Sequence, residues 1–218
     1  MLLAIDTASR MLGVALHDGG RVLSESTWYG SGHHTTELAP EVALALSRAA
    51  VEASELTAVA VALGPGSYTG LRIGLALAKG LSLSHNLQVV GIPTLDILAN
   101  PQPPREGPML AVMQAGRGRV AGVWYKWSRK GWSARKGALN LRWEEILAEL
   151  KQATYICGEL DLESRETLRK SEFVELATPA LCVRRPSVLA ELALEKVWQG
   201  KPEDPARLAP IYLDNSTA

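Results

Sequence analysis

Eleven residues constrain this chain more than any others: Gly64-Pro65-Gly66-Ser67-Tyr68-Thr69-Gly70-Leu71-Arg72-Ile73-Gly74. They follow an unbroken apolar run, Ala58–Leu63, whose β-branched residues and abrupt end at Gly64-Pro65-Gly66 predict a buried parallel strand feeding a loop. They also open a helical pattern over 71–84, where Arg72 and Lys79 share one polar stripe and leucines and Ile73 cover most of the remaining circumference, and a helix that apolar is normally covered on more than one side. Such a loop can offer backbone N–H groups to an anion at the helix N-terminus. It can equally be a tight strand-to-helix turn whose glycines take φ > 0 and let the helix pack closely. No Gly-Lys-Ser/Thr follows, which excludes a Walker loop, and the G-x-G-x-x-x-G spacing misses the dinucleotide fingerprint by one residue.

Around this centre the chain reads as α/β. Leu2–Asp6, Gly13–His17 and Arg21–Thr27 predict an antiparallel meander, and Leu38, Val42, Ala45, Leu46 and Ala49 fall at helical spacing over 35–50 with Pro40 in the first turn. A strand over 87–91 and a helix over 94–99 complete a first half. Four of the chain's twelve prolines lie within 100–108, which reads as a stiff linker. The second half predicts a hairpin, Met109–Gln114 with Val120–Trp127, then a helix near 143–150 and strands near 154–157 and 173–176. It closes on a helix over 187–199 that Ser187 would cap and Gly200 would end. The expected division is residues 1–100 and 101–218.

With 23 basic and 23 acidic side chains the formal charge is zero, so no global field draws the protein to nucleic acid or membrane, and any RNA role must come from a local patch or a partner. Cys157 and Cys182 stand in no C-x-x-C or Cys/His spacing, which argues against a zinc site or disulfide framework. The opening apolar run is too short for a signal peptide, and no stretch approaches the roughly 20 apolar residues of a membrane helix. A cytoplasmic location without membrane contact is the expectation.

Ile5-Asp6-Thr7-Ala8, His34-Thr35-Thr36-Glu37-Leu38-Ala39-Pro40, the glycine-rich run, Ala78-Lys79-Gly80 and Pro210-Ile211-Tyr212-Leu213 together resemble the bacterial TsaB family, also called YeaZ. The resemblance implies two RNase-H-like α/β lobes of the actin, sugar-kinase and Hsp70 superfamily, the second lobe reduced. It implies a non-catalytic subunit that pairs through helices of the first lobe with a TsaD-like paralogue, the enzyme that moves threonylcarbamoyl onto adenine 37 of tRNA. A TsaE-like ATPase would join the assembly, tRNA would be met indirectly through the complex, and a homodimer is a further expectation. No cofactor, metal or catalytic residue is assigned.

The two leading helices carry more apolar surface than one sheet face needs, with Gly70, Gly74 and Ala78 as a small-residue stripe, so the partner face is expected at Leu38, Val42, Leu46, Leu71, Gly74, Leu75 and Ala78. Asp6 and Thr7 stand where this superfamily's phosphate-binding hairpin begins. With Gly64, Gly66 and Ser67 they make a vestigial phosphate site, or Asp6 only caps a turn. The corresponding strand of the second half has Gln114 where the family usually shows Asp, which weakens a claim to magnesium-dependent ATP hydrolysis. His34 matches the single histidine of the TsaB motif, and with Leu38 four residues later one imidazole cannot build the paralogue's two-histidine metal site. A peptidase reading finds neither G-x-S-x-G nor H-E-x-x-H. Residues 117–142 hold eight basic side chains and no acid, interleaved with Trp124, Tyr125, Trp127 and Trp132, which fits either an RNA-tracking ribbon or a solvated hairpin with aromatics packed under long stems. An ATP-using phosphotransferase and a stand-alone RNA-binding module are therefore the competing functions.

Overall fold

Strands β1 (Leu2–Asp6) and β4 (Ala58–Gly64) are buried along their whole lengths, as strands covered on both faces must be. They pair in parallel from Leu2↔Ala58 to Ile5↔Val61. Strand β2 (Met11–His17) runs antiparallel to β1 and β3 (Val22–Tyr29) antiparallel to β2, while β5 (Gln88–Pro93) lies parallel to β4. The order is β3-β2-β1-β4-β5. In this computed structural model residues 1–213 are described. Two compact units result, Met1–Ile97 with Arg184–Ile211, and Leu98–Val183 with Tyr212 and Leu213.

In the first unit, Leu3, Ile5, Val14, Leu16, Val59 and Val61 face one way and form the core beneath helices α1 (His34–Ala49) and α2 (Tyr68–His85). The opposite face is built from small residues, Ala4, Ala15 and Ala60 in register, with Gly13 beside them. The last helix, α6 (Pro186–Trp198), packs over the same sheet, close enough that a Cβ on Gly13 would lie 3.0 Å from Pro186. This departs from the division at residue 100, because the helix that covers the alanine face is supplied by the far end of the chain. Its cap departs too. Pro186 occupies the first turn, and Ser187 donates its N–H (3.1 Å) and Oγ–H (2.5 Å) to Glu25 of β3, which also pairs with Arg185. Burial pushes the Glu25 carboxyl up, but Arg185 and Ser187 outweigh it and hold it below the usual range. Gly200 does sit just past the helix end, at φ +67°.

The second unit repeats the strand order of the first. Strands β6 (Pro108–Gly116), β7 (Arg119–Ser128), β8 (Gly131–Ala134), β10 (Thr154–Gly158) and β11 (Val174–Leu176) run β11-β10-β6-β7-β8, with β9 (Leu139–Arg142) also on β7. Its helices α4 (Trp143–Glu149) and α5 (Leu162–Leu168) have 7 residues each, against 16 and 18 for α1 and α2, so this copy is the reduced one. Strands β8 and β9 and helix α5 had no periodic signal long enough to read from sequence.

Helix α3 (Thr94–Ala99) precedes the proline-rich segment, which is pinned rather than free. Gln102 is buried, its Nε2 donates to Leu98 O (2.9 Å) and Leu181 O (2.7 Å), and its Oε1 accepts from Tyr155 OH at 3.0 Å. A buried amide this well satisfied orders the backbone around it.

Candidate functional site

Two features of the first unit bear on function, the turn after β1 and the outward face of α1 and α2. By strand alternation Asp6 points to the same side as Ala4, towards the segment that leads into α6, and it is 1% exposed. Its Oδ1 accepts from Ala8 N at 2.9 Å and its Oδ2 accepts from Arg184 Nε at 2.8 Å. Arg184, itself 3% exposed, also donates to Ser9 Oγ (2.9 Å) and Met11 O (3.1 Å). The carboxylate is thus neutralised and hydrogen-bonded from within the chain. Sequence reasoning did not single out Arg184, because a cation 178 residues from Asp6 leaves no local pattern.

The glycine-rich loop closes on the same turn. Ser67 N donates to Ala8 O at 2.6 Å, Thr7 Oγ1 donates to Gly70 O at 2.8 Å, and Ser67 Oγ caps α2 by accepting from Gly70 N at 3.2 Å. A Cβ on Gly66 would lie 2.4 Å from Ala8 O, one on Gly70 2.2 Å from Thr7 O, and one on Gly74 2.2 Å from Thr7 Oγ1. Of these loop and helix glycines only Gly64 has positive φ, +117°, where Ile211 N donates to Leu63 O at 2.7 Å beside it. The others serve close approach. The amides of Ser67 and Gly70 are spent on hydrogen bonds inside the protein.

At the entry to α1, His34 Nε2 donates to Ser9 O at 3.1 Å. Beside it Glu37 accepts from Trp28 Nε1 (2.9 Å), Ser31 N (3.0 Å) and Ser31 Oγ (2.5 Å), tying β3 to α1. The Ser31 and then the Trp28 hydrogen bond hold its carboxyl down at about 2, from an ordinary 4.5. A depressed folded-state value means that the clamp's contribution is complete above about 4.5 and disappears as pH falls towards about 2. The Trp28 indole N–H resonance should therefore titrate with a midpoint near 2; a midpoint near 4.5 would show that the clamp does not form in solution. Among the described residues no three His, Cys, Asp or Glu side chains stand close enough to hold a metal ion together. In the second unit, Gln114 Nε2 donates to Asp161 Oδ2 at 3.2 Å.

The expected partner face is corrected by burial. Leu38, Val42, Leu71, Gly74, Leu75 and Ala78 are all buried within the first unit and Leu46 is half-buried, so their surface is already used by the sheet and by the contact between the two helices. The apolar or small residues that the helices present outward are Ala39, Ala43 and Leu44 on α1 and Ala76, Gly80 and Leu83 on α2, flanked by half-buried Ile73, Leu77 and Leu81 and accompanied by exposed polar residues such as Thr36, Ser47, Arg48 and Arg72. Leu83 is 83% exposed. A Cβ on Gly80 would meet nothing within 4 Å, so no contact of the monomer requires glycine there, although mid-helix glycine costs about 1 kcal/mol relative to alanine.

Residues 28–156 match the family model described as TsaD, tRNA N6-adenosine threonylcarbamoyltransferase. The tRNA threonylcarbamoyladenosine biosynthesis protein TsaB of Bacillus subtilis (strain 168) is 30% identical over 97% of this chain and 93% of its own length. The protein of the same name from Escherichia coli (strain K12) is 27% identical over 100% of this chain and 96% of its own. The structure of YeaZ from Pseudomonas aeruginosa superposes with a TM-score of 0.78 at 23% identity, covering 97% of this chain and 99% of that one, so the two share a fold.

Proposed function

Since this chain belongs to the TsaB (YeaZ) family, we propose that it serves tRNA threonylcarbamoyladenosine formation as an accessory subunit, pairing with a TsaD-type threonylcarbamoyl transferase and carrying out no transfer itself. One observation carries the non-catalytic part of this reading. The carboxylate at the end of β1 is buried against Arg184, and the glycine loop lies in contact with the turn that follows it. A carboxylate held by a guanidinium cannot also order a hydrated cation without breaking that pair, and the Ser67 and Gly70 amides are already engaged within the chain. Elements that relatives of this superfamily would spend on a nucleotide are here spent on folding.

The pairing part is supported by the outer face of α1 and α2. An apolar strip with a small-residue centre lets a second helix approach closely, and desolvating Leu83, Leu44 and their half-buried neighbours supplies the driving force. The same strip would seat either the TsaD-type paralogue or a second copy of this chain, and the two would compete. A TsaE-type ATPase would then join the pair. The phosphotransferase and RNA-module readings are not favoured.

The test is reconstitution of tRNA threonylcarbamoylation with a TsaD-type partner, with and without this chain. Modification should depend on the chain, and the chain alone should turn over neither ATP nor threonylcarbamoyl-adenylate. Undiminished modification in its absence, or turnover by the isolated chain that is lost on changing Asp6, would overturn the proposal.

A further inference from the structure

Strands β8 and β9 lie end to end along one edge of β7, and the joint between them is irregular. Ala134 pairs with Tyr125 and Leu139 with Gly122, so five residue steps on this edge face three on β7. Arg135 N still donates to Trp124 O at 2.8 Å, after which the backbone arches off the sheet. Bulges of this kind re-aim side chains and open space beside a sheet. Beneath the arch lies a cavity of about 460 Å³, whose apolar wall includes Trp124, Leu139 and Leu150. Its rim carries Arg135, Lys136 and Lys151 against a single acid, Glu149, and the three cations are exposed and make no ion pair among the described residues.

The other aromatics of this basic segment have structural duties. Trp127 and Trp132 pack edge to face at 5.3 Å, Trp132 Nε1 donates to Gln102 O at 3.0 Å, and Tyr125 is buried. Trp124 is half-buried: it packs against the core of the second unit and also lines the cavity wall, with no hydrogen-bond acceptor for its indole N–H among the described residues. We propose that this cavity binds one unpaired nucleotide of an RNA strand, the base stacking on Trp124 and the flanking phosphates meeting Arg135, Lys136 and Lys151. Its size suits one such group, within the roughly 300–1,000 Å³ of small-molecule sites. A base has a π-face that stacks on indole whatever its sequence, and a duplex, its bases already stacked, cannot enter. The choice of a strand over a free nucleotide rests on the tRNA reading above, and on further basic side chains of the same sheet edge, Lys126 on β7, Arg129 and Lys130 in the turn between β7 and β8, and Arg142 at the end of β9.

The test is fluorescence anisotropy with the full chain and a labelled single-stranded oligoribonucleotide of about 12 residues at low salt, about 50 mM. A duplex of equal length and a free mononucleotide serve as comparators. Lys136→Glu combined with Lys151→Glu changes only exposed side chains and should weaken strand binding about tenfold or more, while lowering the salt slope by about 2. Trp124→Leu, checked for folding by circular dichroism, should weaken it about fivefold with the salt slope unchanged. Equal binding of strand and duplex, affinity for the mononucleotide matching that for the strand, no strand binding, or a double variant indistinguishable from the parent would each overturn the proposal. Those outcomes leave the accessory-subunit reading untouched if reconstituted modification still requires the chain. Conversely, modification that ignores the chain while strand binding responds to these variants removes that reading and leaves the cavity.

Discussion

Arg184→Ala is expected to lower the stability of the first unit by about 3–5 kcal/mol, because it leaves the Asp6 carboxylate buried without its counter-ion. Asp6 is 1% exposed, so water cannot replace the guanidinium without opening the turn after β1. For a chain of this length the loss corresponds to a fall in melting temperature of roughly 10 °C or more. The informative comparison is the double variant Asp6→Asn with Arg184→Met, which removes both charges and should recover most of the loss, giving a large coupling energy in the cycle. Removing one partner is costly because a bare charge remains, whereas the pair itself contributes little net stability over a neutral replacement. Should Arg184→Ala melt within about 1 kcal/mol of the parent, the carboxylate must be served by solvent or a cation, and the case for a turn given over to folding fails.

Gly80→Arg is expected to separate folding from pairing. The site faces open space in the monomer, so the isolated chain should fold as before and gain up to about 1 kcal/mol of helix stability. Association with a TsaD-type partner should weaken at least about a hundredfold, about 2.7 kcal/mol, because a long charged side chain would stand where helices must approach closely. Sedimentation velocity on the mixed proteins reads the association and thermal melting reads the fold. Leu75→Glu is the control with the opposite signature, since Leu75 is 7% exposed and a buried carboxylate there should unfold the unit itself. Unchanged association with the Gly80 variant would move the partner to another surface.

The two assignments illustrate what periodicity carries. The helix over 71–84 was legible from its apolar pattern, and it begins a turn earlier, at Tyr68, because Ser67 caps it. Which of its apolar residues face the sheet was not legible. In a helix apolar nearly all round, buried Leu71, Leu75 and Ala78, half-buried Ile73 and Leu77, and exposed Leu83 carry the same signal. The glycine run was correctly placed between a buried strand and a helix, yet only neighbours far along the chain decide its role. Gly66 and Gly70 are small because Ala8 and Thr7 carbonyls lie against them. Short elements such as β8, β9 and α5 escaped because each spans too few residues to establish a period.

Local chemistry in the sequence determined that this chain builds strands and helices in α/β order, where the loop at 64–70 sits, and that its motifs resemble those of TsaB proteins, since propensity, turn residues and spacing act over a few positions. The tertiary structure alone decided that Arg184 and helix α6 complete the first sheet, that Asp6 is occupied from within, and which side of α2 remains open. Ion pairing and burial depend on distance through space, and residues 178 positions apart meet only after the sheet has brought them together.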